Sequence, residues 1–319
     1  MSKQPVIAVV STTVQVDYLV KALKAERPDA EFRTHDPRGD QLGDRADIDA
    51  VVCWAPPEGL LASMPNLRMV QSLGAGIDHL TVDPTLPRVP ICRIVDSDMA
   101  GGMTAYVAWA VINHQRKLGA YAANSRLGKW DQLLPIIPPV THTVGIAGLG
   151  TLGMAAAQAL LAIGYQVRGW SRTAKTDLPG GIEAFHGAEG RAEFLSGCDT
   201  LVCLLPLTAE TEGVLNSELF DQLPRGAHLV NAGRGQHVVD ADLLAALDDG
   251  RLGFATLDAF VVEPLAADHP FWHHPKVIVT PHIATRTNPA VIARQTFQNL
   301  DRLDQPDAAL HALDFARGY

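Results

Sequence analysis

Three side chains in the second half of the chain, Arg234, Glu263 and His282, have the types that reducing a carbonyl next to a carboxylate would need. Each follows an apolar run read as a strand: 227–231 before Arg234, 252–257 before Glu263 and 277–280 before His282. In an open α/β sheet, ligands bind outside the carboxyl ends of the strands, so the three share one edge. A guanidinium can grip a carboxylate with two parallel hydrogen bonds and polarise the neighbouring carbonyl. An imidazole can protonate the developing alkoxide, and a glutamate beside it can keep it charged for that purpose. Taken singly, Arg234 could be a solvated loop residue, Glu263 a turn acid and His282 a satisfied, half-buried imidazole. Their common edge is what points to chemistry. A second loop, Leu73, Gly74, Ala75 and Gly76, has glycines that let backbone N–H groups approach a carboxylate in a nest-like anion site.

A hydride donor is implied by the stretch Gly148, Leu149, Gly150, Thr151, Leu152, Gly153. It follows the β-branched run Thr143–Ala147 and opens a helical pattern that ends before Gly164. Strand, glycine loop and helix together make the dinucleotide-binding fingerprint: one glycine for the turn, one for approach to the pyrophosphate, one for helix–strand packing. The plainer reading is an ordinary glycine-rich strand-to-helix turn. NAD-specific proteins carry an acid at the end of the next strand. Here that place reads Ser171, Arg172, Thr173, Ala174, Lys175. Hydroxyls and cations there would attract a 2′-phosphate that a carboxylate would repel. The expectation is NADP(H), with NAD(H) second.

These residues need a scaffold of parallel strands. Runs 6–10, 50–54, 67–71 and 89–95 read as strands and 16–25 as a helix, so the first hundred residues form a small parallel α/β domain. A long helix is expected over 103–118. After Pro135, Pro138 and Pro139, strands at 143–147, 166–170, 200–204, 227–231, 252–257 and 277–280 alternate with helices near 191–195, 217–223 and 240–249. That is a doubly wound sheet, and 288–300 supplies one more helix.

Composition limits the partners. The chain has 319 residues and a net charge of −9, which argues against nucleic acid or an anionic membrane surface as a ligand. No apolar run reaches the length that spans a bilayer. Cys53, Cys92, Cys198 and Cys203 form no CxxC pair and read as buried, reduced thiols of a cytoplasmic chain. The apolar stretch 6–10 is too short for a signal peptide. His269, His273 and His274 invite a zinc reading, but Pro270 and Pro275 break any helix that would align them, so no metal is expected.

The segments LGAGIDHL (73–80), GIAGLGTLG (145–153), WSRT (170–173), LLPLTAET (204–211), NAGRG (231–235), LDAFVVEPL (257–265) and FWHHPKVIVTPHIA (271–284) resemble those of the D-isomer-specific 2-hydroxyacid dehydrogenases, and among them the glyoxylate/hydroxypyruvate reductase A branch. The resemblance implies two Rossmann-like α/β domains with a cleft between them. One is a flavodoxin-like substrate domain over 1–100 plus 286–319, the other a doubly wound NADP-binding domain over 101–285. It makes Arg234, Glu263 and His282 the catalytic set. Trp54 joins Leu73, Gly74, Ala75, Gly76, Arg234 and His282 around the substrate, although a core aromatic at a strand end is as good a reading of Trp54. To the glycine loop and Ser171, Arg172 and Thr173 the resemblance adds Pro206, Thr211, Ala232, Gly233, Arg234, Asp258, His282 and Ala284 as cofactor-lining residues, with Asp258 on the nicotinamide amide. It also implies a homodimer built on the 103–118 helix and the 121–130 segment. Two features depart from the pattern: Gly233, where Ala or Ser is commoner, and Asp78–His79, a second acid–histidine pair read as local helix-start chemistry. The implied activity is NADPH-dependent reduction of glyoxylate and hydroxypyruvate to glycolate and D-glycerate. Larger acids such as phenylpyruvate stay open. A dinucleotide-sensing protein on the same fold is the rival, and it would have no need of a proton donor.

Overall fold

The computed structural model describes residues 4–303 and Ala312. The chain divides into two compact units, one of Met1–Asp98 with Arg286–Tyr319 and one of Met99–Thr285.

The first unit is a six-stranded sheet. Its strands are β1 (Val6–Ser11), β2 (Glu31–Asp36), β3 (Gly39–Gln41), β4 (Ala50–Trp54), β5 (Met69–Ser72) and β6 (Ile91–Cys92), in the order β3-β2-β1-β4-β5-β6. Apart from the antiparallel β3, all pairs are parallel, which gives the flavodoxin-like order. β1 and β4 lie inside the sheet and are apolar on both faces, as buried parallel strands are. β2 and β3 went unseen in the sequence because they form the outer hairpin. β2 reads EFRTHD, with no apolar run or clean alternation to mark it. β6 keeps only two residues of the expected 89–95 run, since Pro90 has no N–H to give the ladder. Helix α1 (Asp17–Glu26) buries Leu19 and Leu23. The last helix, Pro289–Arg302, packs on α1. It buries Ile292, Ala293, Phe297 and Leu300 at helical spacing, and Phe297 meets Phe32 edge-on at 6.5 Å. Asn299 reaches the buried Gln71 of β5 with a 3.0 Å hydrogen bond.

The second unit starts on a helix, α3 (Ser97–Gln115), which follows the one-turn α2 (Asp78–Thr81) of the first. α3 departs from the expected 103–118 at both ends. It runs through Gly101 and Gly102, and it stops where Lys117 takes a left-handed φ of 55° before α4 (Leu118–Arg126). Then come β7 (Thr143–Ala147), α5 (Thr151–Ile163), β8 (Gln166–Ser171), β9 (Ile182–His186), α6 (Arg191–Ser196), β10 (Thr200–Cys203), α7 (Ser217–Phe220), β11 (Ala227–Asn231), α8 (Asp240–Asp248), β12 (Leu252–Leu257) and β13 (Val277–Val279); α9 is the Pro289–Arg302 helix of the first unit. The sheet order is β13-β12-β11-β10-β7-β8-β9, all parallel, so chain order reverses between β7 and β10. Two apolar layers flank it, one around Phe194, Phe220 and Phe271 and one around Val107, Ile146 and Leu160. Each fully buried side chain of that size contributes roughly 1.5–3 kcal/mol. Gly164 closes α5 at φ 105°, giving its N–H to Leu160 and Leu161. All four cysteines are free and buried. Among the described residues no helix is long and apolar enough to cross a membrane.

Candidate active site

Because the second sheet is wholly parallel, β11, β12 and β13 end on the same edge and hand the chain to three loops there. The turn after β11 carries Arg234. Asn231 fixes it by donating from Nδ2 to the Arg234 carbonyl at 2.8 Å and accepting the Gly233 N–H at 3.2 Å. His237 Nδ1 accepts the Arg234 N–H at 3.1 Å, so the proton is assigned to Nε2, which donates to the Pro206 carbonyl at 3.3 Å. One neutral imidazole thereby ties the Arg234 turn to the loop that carries Pro206 and Thr211. The place where Ala or Ser was commoner has its reason here: a Cβ on Gly233 would stand 2.9 Å from His237 Nδ1. Gly235 allows a closer approach still, since its Cβ would overlap the Phe260 backbone at 2.0 Å. The Arg234 turn thus abuts the loop that leads to Glu263.

In that loop the Phe260 N–H donates to Glu263 Oε1 at 2.9 Å. His282 Nδ1 lies 3.0 Å from Oε1 and 2.9 Å from Oε2 of the same carboxylate, each side chain about a third exposed. Burial works against the charged form of Glu263. The His282 hydrogen bond, the Phe260 N–H and the charges of His282 and Arg234 outweigh it and hold the carboxyl below its ordinary range. The structure therefore brings Glu263 and His282 into contact, with the Arg234 charge near enough to act on the glutamate. Nδ1 of His282 is the ring nitrogen turned to Glu263.

His282 has φ 52°, a left-handed conformation uncommon for a histidine. Its cause is Asp258, only 1 % exposed at the end of β12. Three successive amides close on this residue: His282 N–H on its carbonyl at 2.8 Å, Ile283 N–H on Oδ1 at 2.9 Å and Ala284 N–H on Oδ2 at 2.8 Å. The Ile283 and Ala284 amides thus form a two-amide nest for the carboxylate, an anion that belongs to the chain itself, while the His282 N–H is shared between the carbonyls of Asp258 and, at 3.0 Å, Thr280. Asp258, expected on the nicotinamide amide, spends most of its acceptor capacity shaping the turn that carries His282.

In the first unit, the loop after β5 carries Leu73, Gly74, Ala75 and Gly76, none of them at positive φ. The Gly74 N–H donates to Ser72 Oγ at 3.3 Å, and a Cβ on Gly74 would press on the Trp54 ring at 3.2 Å. Trp54 is partly buried, and the His79 ring centroid lies 4.2 Å from its own. The Asp78–His79 pair does open α2, and His79 also stacks on the tryptophan.

The chain matches the family described as "D-isomer specific 2-hydroxyacid dehydrogenase, NAD binding domain" over residues 108–284. Glyoxylate/hydroxypyruvate reductase A of Serratia proteamaculans (strain 568) is 40 % identical over 303 residues, covering 93 % of this chain and 94 % of that protein. The chain belongs to this family. A D-isomer specific 2-hydroxyacid dehydrogenase from Xanthobacter autotrophicus Py2, solved in complex with NADPH and MES, superposes with a TM-score of 0.89 at 38 % identity, covering 99 % of this chain and all of that one. An NADPH-dependent glyoxylate/hydroxypyruvate reductase from Sinorhizobium meliloti, solved in complex with NADP and sulfate, gives 0.90 at 35 % identity with the same coverage.

The residues of this dehydrogenase fit a dinucleotide. Gly148 turns at φ 106°, and a Cβ on Gly153 would overlap the Gly148 carbonyl at 1.9 Å, so α5 packs directly on the turn. Gly150 is the cap of α5 and provides no side chain of its own. A Cβ there would meet none of the described residues within 4 Å, so the space beside Gly150 at the start of α5 is open. At the end of β8, Arg172, Thr173 and Lys175 are exposed, whereas the Ser171 hydroxyl is committed to the Thr173 carbonyl at 2.8 Å. Ala232 and Ala284 are buried beside the loops they serve, and Thr211 closes its own loop on the Pro206 carbonyl at 2.7 Å. Among the described residues no group of acids, histidines or cysteines has metal-binding geometry, and His269 and His274 face Asp240 and Asp248. Sequence reasoning missed His237, Thr280 and Tyr106. His237 stands two residues beyond NAGRG, a spacing that could have drawn attention to it. The other two matter only through contacts that folding creates.

Proposed function

We propose that this chain uses NADPH to reduce small 2-oxo acids, glyoxylate and hydroxypyruvate first, to glycolate and D-glycerate. Bound NADPH supplies a hydride to the carbonyl carbon. Arg234 grips the substrate carboxylate and polarises the carbonyl. His282 gives the Nε2 proton to the developing alkoxide while Glu263, 2.9 Å from Nδ1, fixes its tautomer and steadies the imidazolium. The observation that carries this reading is the Glu263–His282 pair on the sheet edge that also bears the Arg234 turn. In the same reading the second unit binds the dinucleotide through the glycine loop, Arg172 and Thr173. The first unit holds the acid, through Trp54 and the Leu73, Gly74, Ala75 and Gly76 loop.

A homodimer is part of the proposal. Leu127 and Trp130 are 78 % and 94 % exposed, and Leu134, Ile136 and Val140 continue the apolar surface beyond α4. Apolar surface at that density favours a second copy over water. Four buried free thiols suit a reducing, cytoplasmic setting.

The test is NADPH consumption with glyoxylate, hydroxypyruvate and phenylpyruvate, run beside His282→Ala. Turnover of the two small acids, lost in the variant by at least about a hundredfold, supports the reading. A strong preference for phenylpyruvate moves the substrate class to larger acids. Tight NADPH binding with no turnover of any 2-oxo acid would leave a dinucleotide sensor instead.

A further inference from the structure

The turn that presents His282 is gripped from outside by α3. Tyr106, 8 % exposed, places its hydroxyl 2.7 Å from Thr280 Oγ1, and Thr280 Oγ1 lies 2.6 Å from Asp258 Oδ1. Chemistry fixes the direction of both bonds. The Asp258 carboxylate already receives the Ile283 and Ala284 amides and can only accept. Thr280 must therefore donate to it, which spends the single threonine proton and leaves Thr280 to accept from Tyr106. Burial and the nearby Asp258 charge both raise the Tyr106 pKa, so the phenol keeps the proton this chain requires. Hydrogen bonds in series polarise one another, and a carboxylate at the end strengthens each link.

The far side of the turn meets the same face of α3. Thr285 Oγ1 donates to the Met99 carbonyl at 3.0 Å, and a Cβ on Gly102 would come within 3.1 Å of Thr285 Oγ1. Met99, Gly102 and Tyr106 lie at i, i+3 and i+7, one stripe of one helix. Gly102, which breaks the apolar helical pattern in the sequence, is what permits this approach.

We propose that Tyr106 is a positioning residue: acting through Thr280 and Asp258, it holds the nest that keeps His282 at positive φ with Nε2 directed at substrate. The proposal rests on His282 being the proton donor, and extends that reading to a helix with no side chain in the chemistry. Without the Tyr106 hydroxyl the carboxylate is held less firmly, the three amides relax, and His282 leaves its strained conformation part of the time.

The experiment compares Tyr106→Phe, Thr280→Val and Thr280→Ser with the unaltered protein. Amide hydrogen exchange over 281–285 is followed without cofactor, and kcat, glyoxylate KM and NADPH Kd are measured in parallel. Tyr106→Phe removes one oxygen and keeps the ring. It should speed exchange of the Ile283 and Ala284 amides and lower kcat, each by about tenfold, while KM and Kd stay within about twofold. Thr280→Val should do at least as much, and Thr280→Ser, which keeps the hydroxyl, should stay near the starting values. Unchanged exchange and kcat in Tyr106→Phe would overturn the proposal, as would faster exchange spread evenly over the second unit with a lower unfolding midpoint. The exchange result stands even if no 2-oxo acid is reduced. In an active protein inactivated by His282→Ala, an indifferent Tyr106→Phe sinks this inference alone.

Discussion

Two glycines three positions apart should both lose the dinucleotide on gaining a methyl group, but only one of them should lose stability. A Cβ on Gly153 would lie 1.9 Å from the Gly148 carbonyl oxygen and 3.2 Å from Ile146 Cγ2. The first contact is with backbone, so α5 must move off the turn by about 1 Å to reach even a compressed contact. Overpacking of this kind costs about 1–3 kcal/mol, which for a unit of this size lowers the unfolding midpoint by roughly 3–10 °C. Gly150 differs: its φ is −78° and no described residue lies within 4 Å of the added carbon. Alanine there loses a little as a helix cap and gains a similar amount by stiffening the unfolded chain, so the net change stays within about 0.5 kcal/mol. Its methyl group fills the space a pyrophosphate needs to reach the first-turn amides. Losing one charge-assisted hydrogen bond there costs about 1.5–3 kcal/mol, or roughly 10- to 100-fold in NADPH Kd. Differential scanning calorimetry and fluorescence titration with NADPH separate the two. Gly150→Ala should keep its midpoint and lose the dinucleotide, and Gly153→Ala should lose both. Ordinary NADPH binding by Gly150→Ala would refute the placement of the phosphates on α5.

Three further outcomes are expected. Arg172→Ala should raise the NADPH KM by about tenfold and leave the NADH KM within about twofold, because only the former has a 2′-phosphate for the guanidinium to meet; equal losses on both cofactors would count against that role. His114, His142 and His228 are all held below the ordinary histidine range, chiefly by burial, His114 at about 4, and the His114 and His228 rings lie 4.4 Å apart. The unfolded state then binds more protons than the folded one, so stability is full above about 6.5 and drains as pH falls toward about 4, by roughly 3 kcal/mol for His114 alone; urea midpoints at pH 7 and pH 5 should differ, and His114→Phe should shrink the difference. Leu127→Asp with Trp130→Ala should turn a dimer into a monomer in light scattering, since both side chains are exposed and apolar.

What the sequence could reveal followed from where free energy is concentrated. β4, β7, β11 and β12 have the residue bounds that their apolar runs suggested, because a parallel strand buried on both faces is predominantly apolar. β2, β3 and β9 lie at or next to sheet edges, where polar side chains are tolerated and the hydrophobic signal fades. The start of α3 was hidden by Gly101 and Gly102, residues that helix propensity disfavours and that tertiary packing nonetheless requires at Gly102. Arg234, Glu263 and His282 stood out because strand ends are readable and their side-chain types are few. Their supports did not. His237, Thr280 and Tyr106 are ordinary residues in ordinary elements, and only the fold makes them partners of the Arg234 and His282 turns.

The bonds that Asp258 makes show how much of the site depends on contacts within the chain. A pair of adjacent amides would bind a free anion, and a turn shaped that way would change whenever the anion left. Here the anion is a side chain anchored on β12, so the conformation of His282 is set by the same folding free energy that holds the sheet. The strain at φ 52°, on the order of 1–3 kcal/mol, is met by four hydrogen bonds to one residue: the His282 N–H on its carbonyl, and the Ile283 N–H, the Ala284 N–H and the Thr280 hydroxyl on its carboxylate. In the proposed reaction the imidazole therefore gains its orientation before substrate arrives, and the binding energy of a small acid, with few atoms to contribute, need not be spent on ordering His282.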